Sequence, residues 1–101
     1  MSNNQTIANL NKSLQTEMSA AHQYQLHAHV LEDWGLNLLA ATMRTEMAEE
    51  IGHSDQFIGR ILFFTGDPEF AFAEQPRRAA SLVDMFKADL ADEEDTRAFY
   101  T

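Results

Sequence analysis

No proline occurs before Pro68, and the apolar residues ahead of it recur at spacings of three and four. Proline removes a backbone donor and clashes with the preceding turn, so a proline-free stretch leaves long helices open. The three–four alternation then places the apolar side chains on one helical face. In the first stretch Ile7, Leu10, Leu14, Ala21, Ala28 and Leu31 follow it, and one helix is expected over residues 4–33. Trp34-Gly35 ends it, since glycine is common just past a last helical turn. A second helix is expected over 36–64. Leu39, Met43, Phe57, Ile61 and Phe64 share its face, and Thr65-Gly66-Asp67-Pro68 is its stop. So short a break between two long helices makes an antiparallel hairpin. Each arm is roughly 40 Å long at ~1.5 Å per residue.

Residues 65–80 read as a loop holding both prolines and the pair Arg77-Arg78. Ser81 with Asp84 resembles a capping box, with Asp in place of Glu. A shorter third helix is expected over 82–99, with Leu82, Phe86, Leu90 and Glu93 along one side. The chain is then a single all-α domain over residues 1–101. Three helices leave a four-helix core incomplete, and a small domain buries only part of its surface on folding. The expected remedy is a second copy: two hairpins dimerising into a four-helix bundle.

The charge balance narrows the partners. Sixteen acids against seven Lys plus Arg give a formal net charge of −9. Nucleic acid is therefore excluded as a partner, because its binding rests on neutralising phosphates. Cations fit, although solubility alone also accounts for such a charge. The chain has no cysteine, which rules out a disulfide scaffold, a thiolate zinc site and a cysteine-bound iron. The stretch Met1 to Thr6 is polar and lacks the basic flank and apolar centre of a signal peptide. No apolar run approaches the ~20 residues that span a bilayer. A cytoplasmic protein with no membrane partner is expected.

The informative residues are polar ones at core positions. On the first helix the stripe runs 10, 14, 17, 21, 24, 28, 31, so Glu17 and Tyr24 occupy places suited to apolar side chains. On the second the stripe 39, 43, 46, 50, 53, 57 carries Glu46, Glu50 and His53. Buried carboxylates are costly unless neutralised; a bound cation, a proton or an ion pair can do so. Glu50-Ile51-Gly52-His53 has the form Glu-x-x-His, whose i, i+3 spacing sets carboxylate and imidazole on one face. Di-iron carboxylate bundles use one Glu from each of two helices and Glu-x-x-His from each of the other two. Glu17, Glu50 and His53 are half of that set, and a two-fold dimer of hairpins would complete it. Oxygen and imidazole donors suit iron or manganese. The bland alternatives are a Glu17 at the solvated edge of the stripe and a His53 satisfied within the core or at the surface.

Tyr24, one heptad after Glu17, either packs in the core or serves the metal as a hydrogen-bond donor or electron donor. Glu46, one turn before Glu50, is open to three readings: a group behind the ligands, an entry site, or a solvated acid. His22, His27 and His29 fall off the inward stripe and read as surface histidines. Met43 and Met47 read as core and interface packing.

These segments resemble bacterioferritin. The likeness is carried by Leu10 to Glu17, Gln23-Tyr24, Leu26-His27-Ala28, Asp33-Trp34-Gly35-Leu36, Glu49 to Asp55 and Arg60 to Phe63, and it runs on through Met85 to Ala91. It covers nearly the whole chain but only about the first half of that family's length. The resemblance implies a ferritin-like, iron-storage-type ferroxidase. Such a protein oxidises Fe²⁺ to Fe³⁺ with dioxygen or peroxide at a di-iron centre, within a larger homo-oligomer. It implies Glu17, Glu50 and His53 as metal ligands and Tyr24 as the tyrosine beside them. Glu93 would match a ligand on the family's third helix, and Glu46 and Glu93 are secondary candidates.

The family's fourth helix, with its own Glu-x-x-His, has no counterpart in these residues. A site shared between two copies, as in the short encapsulated ferritins, is the expected substitute. The tail Arg97 to Thr101 does not resemble a cargo-loading peptide. The family also ligates haem between subunits through a methionine directly after the Glu of Glu-x-x-His. Here that residue is Ile51, and Met47, one turn earlier on the outward face, is the substitute candidate for an iron porphyrin.

Overall fold

A computed structural model of the chain describes residues 2–85 and residue 87. It is all helical in its regular elements. Helix α1 spans Ser2–Asp33 and α2 spans Asn37–Phe63, packed side by side as an antiparallel hairpin. Along the α1 stripe Leu14, Ala28 and Leu31 are fully enclosed, all 0% exposed. Tyr24, Ala28, Val30 and Leu31 meet Ala40 and Met43 of α2 in one apolar cluster. No helix among the described residues is long and apolar enough to cross a membrane.

The turn between the helices is built by its hydrogen bonds. Leu36 N–H donates to Leu31 O (2.8 Å) and Gly35 N–H to Glu32 O (2.9 Å). This is the six-to-one and five-to-two pairing of a Schellman motif, with Gly35 at φ +80° in the left-handed position. The end of α2 repeats the motif with a different residue. Gly66 N–H donates to Ile61 O (2.9 Å) and Thr65 N–H to Leu62 O (3.0 Å). Here Thr65, not the neighbouring glycine, takes the left-handed conformation, at φ 62°. Gly66 is required for a separate reason: a Cβ on it would lie 2.8 Å from Ile7 Cγ2.

A β-branched residue in the left-handed region costs roughly 1–2 kcal/mol, part of which glycine returns through its freer unfolded chain. Thr65→Gly is therefore expected to raise stability by about 0.5–1 kcal/mol, read as a higher urea midpoint at unchanged slope. Gly66→Ala is expected to lower it, because Ile7 must move aside.

After Gly66 the chain forms a strap that runs back along α1 without regular structure. Its backbone is tied to side chains spaced by four on that helix. Asn11 Nδ2 donates to Asp67 O (3.1 Å), and Glu69 N–H donates to Asn11 Oδ1 (2.8 Å). Gln15 Nε2 donates to Glu69 O (3.4 Å), and Glu74 N–H donates to Ser19 Oγ (3.0 Å). Gln23 takes both backbone groups of Arg77, donating to its carbonyl and accepting from its N–H, each at 2.8 Å. A step of four residues advances about 400° around a helix, so such a row drifts by about 40° per step. The strap thus winds across α1 and reaches the edge of the core at Gln23.

There it delivers the start of a third helix. Residues 82–85 are helical, capped by Asp84 N–H donating to Ser81 Oγ (3.2 Å). Met85 is fully buried in the Tyr24–Leu31 cluster, with Leu82 packed against it. Phe86, Leu90 and Glu93, expected along one side of this helix, lie outside the described residues.

The strap corrects one expectation. His27 is not a surface histidine but 0% exposed. The α1 stripe alone places it off the core, but its ring is bonded to Gln23, the residue that the strap engages at Arg77. Gln23 Nε2 donates to His27 Nε2 (2.7 Å), which leaves the ring proton on Nδ1. His22 and His29 are exposed, as read from the sequence.

Candidate metal centre

The hairpin places Glu17 and Glu50 at nearly equal distances from the turn, on facing helices. One ligand atom from each of Glu17, Glu50 and His53 lies within 4.8 Å of the other two. His53 Nδ1 is 3.5 Å from Glu17 Oε2 and 3.7 Å from Glu50 Oε2. The imidazole therefore turns the same nitrogen to both carboxylates. Within α2, three residues separate Glu50 from His53, so one helical turn is enough to align them.

Exposure differs sharply across the trio. The side chain of Glu17 is 4% exposed, that of Glu50 19% and that of His53 54%. The carboxylate of Glu17 is therefore held in a low-dielectric setting where an opposite charge counts most. The gradient also shows that the α2 stripe is not where the sequence spacing puts it. The buried residues of α2 are Ala40, Met43, Ser54 and Ile61, so the seam against α1 runs beside the expected line 46, 50, 53 and not along it. Glu46, Glu50 and His53 stand on the flank of that seam. Only the strip of α2 that meets α1 is covered, and no other helix among the described residues lies over this flank. The cluster is thus walled by Glu17 on one side and open on the other.

The neighbouring polar groups are accommodated. Ser54 is 7% exposed, and its hydroxyl donates to the carbonyl of Glu50 (3.0 Å). Tyr24 is 6% exposed within the apolar cluster, two helical turns along α1 from Glu17, which is roughly 10 Å. Glu46 is half-buried. Glu93 lies outside the described residues. Met47 is partly buried against the Tyr24–Met43 cluster, which agrees with its reading as packing and not with the outward position of the haem reading. The reason is the same displacement of the seam, which brings position 47 inward. The outward position is held by Ile51, 45% exposed and without a donor atom.

Sequence reading missed the ladder of Asn11, Gln15, Ser19 and Gln23. Its signal is legible afterwards: four short polar side chains, each four residues apart, on a helix otherwise partitioned into core and surface.

Comparison with known proteins places these features. Residues 7–101 match the family described as a ferritin-like domain. The chain is 40% identical over 94 residues to the bacterioferritin of Brucella melitensis, covering 93% of this chain and 58% of that protein. It is 38% identical over 91 residues to the bacterioferritin of Rhodobacter capsulatus, covering 90% and 56%. Among solved structures it is similar to Rhodobacter capsulatus bacterioferritin with a metal-free dinuclear site and haem iron in a crystallographic special position. That likeness has a TM-score of 0.90 at 38% identity and covers 95% of this chain and 60% of that one. Mycobacterium tuberculosis bacterioferritin BfrA gives a TM-score of 0.89 at 33% identity, with the same coverage. The chain spans a little over half the length of the relatives it matches.

Proposed function

Because this chain belongs to the ferritin-like domain family, we propose that its Glu17, Glu50 and His53 bind iron and carry out ferroxidase chemistry. In this reading two hairpins pair about a two-fold axis, and their trios close into a di-iron centre shared between copies. The observation that carries it is the convergence of two carboxylates and one imidazole within 4.8 Å, with one carboxylate buried and the remaining side open. The donor set fits iron: carboxylate oxygens and imidazole nitrogen suit it, and no thiolate is present.

The reaction is the oxidation of Fe²⁺, as substrate, to Fe³⁺ by dioxygen or peroxide, a function of the iron-storage type. Glu17, fixed and buried, supplies a terminal carboxylate whose charge draws the cation inward. Glu50, on the open flank, would share iron with the matching trio of a second copy. His53 offers Nδ1 in its neutral form, so iron binding displaces any proton held there. Anionic oxygen ligands favour the harder Fe³⁺ and so assist the oxidation. The net charge of −9 assists delivery of Fe²⁺ from solution. Tyr24 stands as a hydrogen-bond or electron donor near the site, and Glu46 as an acid on the same flank. A bundle assembled from soluble copies in the cytoplasm accounts for these features. Haem is the secondary ligand class, and a Soret band that disappears in Met47→Ala is the observation that would assign it to that sulfur.

The test is native mass spectrometry with metal analysis on the wild type and on Glu50→Ala. Near two irons per dimer, lost in the variant, is the expected result. Iron bound independently of Glu50, or no iron at all, would overturn the shared centre.

A further inference from the structure

We propose that the strap from Asp67 to Arg77 is a latch that peels away from α1 starting at the Gln23–Arg77 clamp. Two features of its attachment carry this. First, the attachment runs through hydrogen bonds between strap backbone and α1 polar groups: Asn11, Gln15, Ser19 and Gln23. Phe70, Ala73, Glu74 and Arg77 leave their side chains exposed, and the one ring contact given between strap and α1 is Phe72, half-buried, edge-on to the exposed His22 at 5.2 Å. Segments held by solvent-accessible hydrogen bonds and little apolar burial open at a fraction of the global stability.

Second, the two ends are unlike. At the launch, Gly66 is pressed onto Ile7, and Asn11 grips the strap at two points. At the far end one amide carries the load. Gln23 holds both backbone groups of Arg77 and donates to His27. Loss of that amide removes both strap bonds at this end together with the bond to His27, whereas the two bonds to Asn11 at the launch are backed by the contact of Gly66 with Ile7.

Detachment has a defined consequence. The strap leads directly into Ser81–Met85, and Met85 closes the cluster of Tyr24, Ala28 and Leu31. Opening at Arg77 therefore frees Gln23, the hydrogen-bond partner of His27, and loosens the cover over the buried tyrosine while the α1–α2 hairpin stays intact. It also frees the Arg77 carbonyl and N–H, the groups that a trypsin-like protease must engage to cut after Arg77.

Hydrogen exchange on the full chain tests the latch. Four amides report it: Glu69, Ala73, Glu74 and Arg77, each bonded to α1. They are expected to exchange well ahead of Ala28 and Met43 in the hairpin core, Arg77 first and Glu69 last. Gln23→Ala is expected to speed exchange at Glu74 and Arg77 by about tenfold or more, consistent with the loss of more than one hydrogen bond. Exchange at Ala28 and Met43 is expected to stay unchanged. The same variant should be cut by trypsin after Arg77 faster than the wild type, with helical circular dichroism retained. Asn11→Ala, at the pinned end, should speed Glu69 and leave Arg77 at its wild-type rate. Exchange of all four strap amides at the rate of Ala28 would overturn the proposal, as would acceleration of the hairpin core by Gln23→Ala. In either case the strap opens only when the whole chain unfolds.

Discussion

Replacing Glu17 with leucine is expected to stabilise the metal-free chain and abolish its stabilisation by iron. The carboxylate is buried against α2, with a half-exposed imidazole 3.5 Å away. Exchanging buried ionic groups for apolar residues of similar volume is often neutral or stabilising by about 1–4 kcal/mol. A gain of about 1–3 kcal/mol in chelator is therefore expected for Glu17→Leu. In the wild type, Fe²⁺ supplied anaerobically at a hundred times its dissociation constant should add about 2.7 kcal/mol. That increment should vanish in the variant. Glu50→Leu makes the comparison sharper. Its side chain is partly solvated, so it should lose the iron increment with little gain in chelator. Urea unfolding with and without Fe²⁺ reads all four values. A Glu17→Leu chain destabilised by several kcal/mol in chelator would mean that the carboxylate serves the fold and not a metal.

The same opposition of stability and function explains what the sequence discloses. The hairpin is legible because proline is missing and the three–four spacing is long, and both act locally along the chain. The turn at Gly35 is legible because its left-handed conformation favours one residue type. The trio Glu17, Glu50 and His53 stands out because polar groups in an apolar stripe break a pattern that packing would otherwise keep. Two features resisted reading, and each depends on long-range geometry. His27 is buried beside Gln23, which the strap engages at Arg77, a contact between residues 54 apart in the chain. The α2 seam lies beside the expected line, because a helix touching only one neighbour buries a narrower strip than a full bundle would. Thr65 was hidden for a different reason: the glycine beside it looks like the stop residue but is needed for close approach to Ile7.

The largest effect on folding is expected at Leu31. It is 0% exposed, it joins the cluster of Tyr24, Ala28, Ala40, Met43 and Met85, and its carbonyl accepts the turn-closing bond from Leu36. Truncation to alanine removes the transfer energy of the lost methyl groups and leaves a cavity. The cavity has little means of collapsing, because the Schellman turn fixes α1 against α2 on one side and Met85 caps it on another. Leu31→Ala is therefore placed in the upper part of the usual range, about 3–4 kcal/mol. Against a total of roughly 5–15 kcal/mol for a domain of ordinary stability, that is a large fraction. Leu38→Ala, at a site 88% exposed, should stay within about 0.5 kcal/mol of the parent. The two leucines share chemistry and lie on either side of the same turn, so the contrast isolates burial as the cause. Leu31 is roughly 20 Å along the helix from Glu17. Below its lowered unfolding midpoint, the Leu31→Ala chain should therefore keep the wild-type iron stoichiometry. Loss of iron from a chain still folded by circular dichroism would mean that the apolar cluster and the metal trio move as one unit.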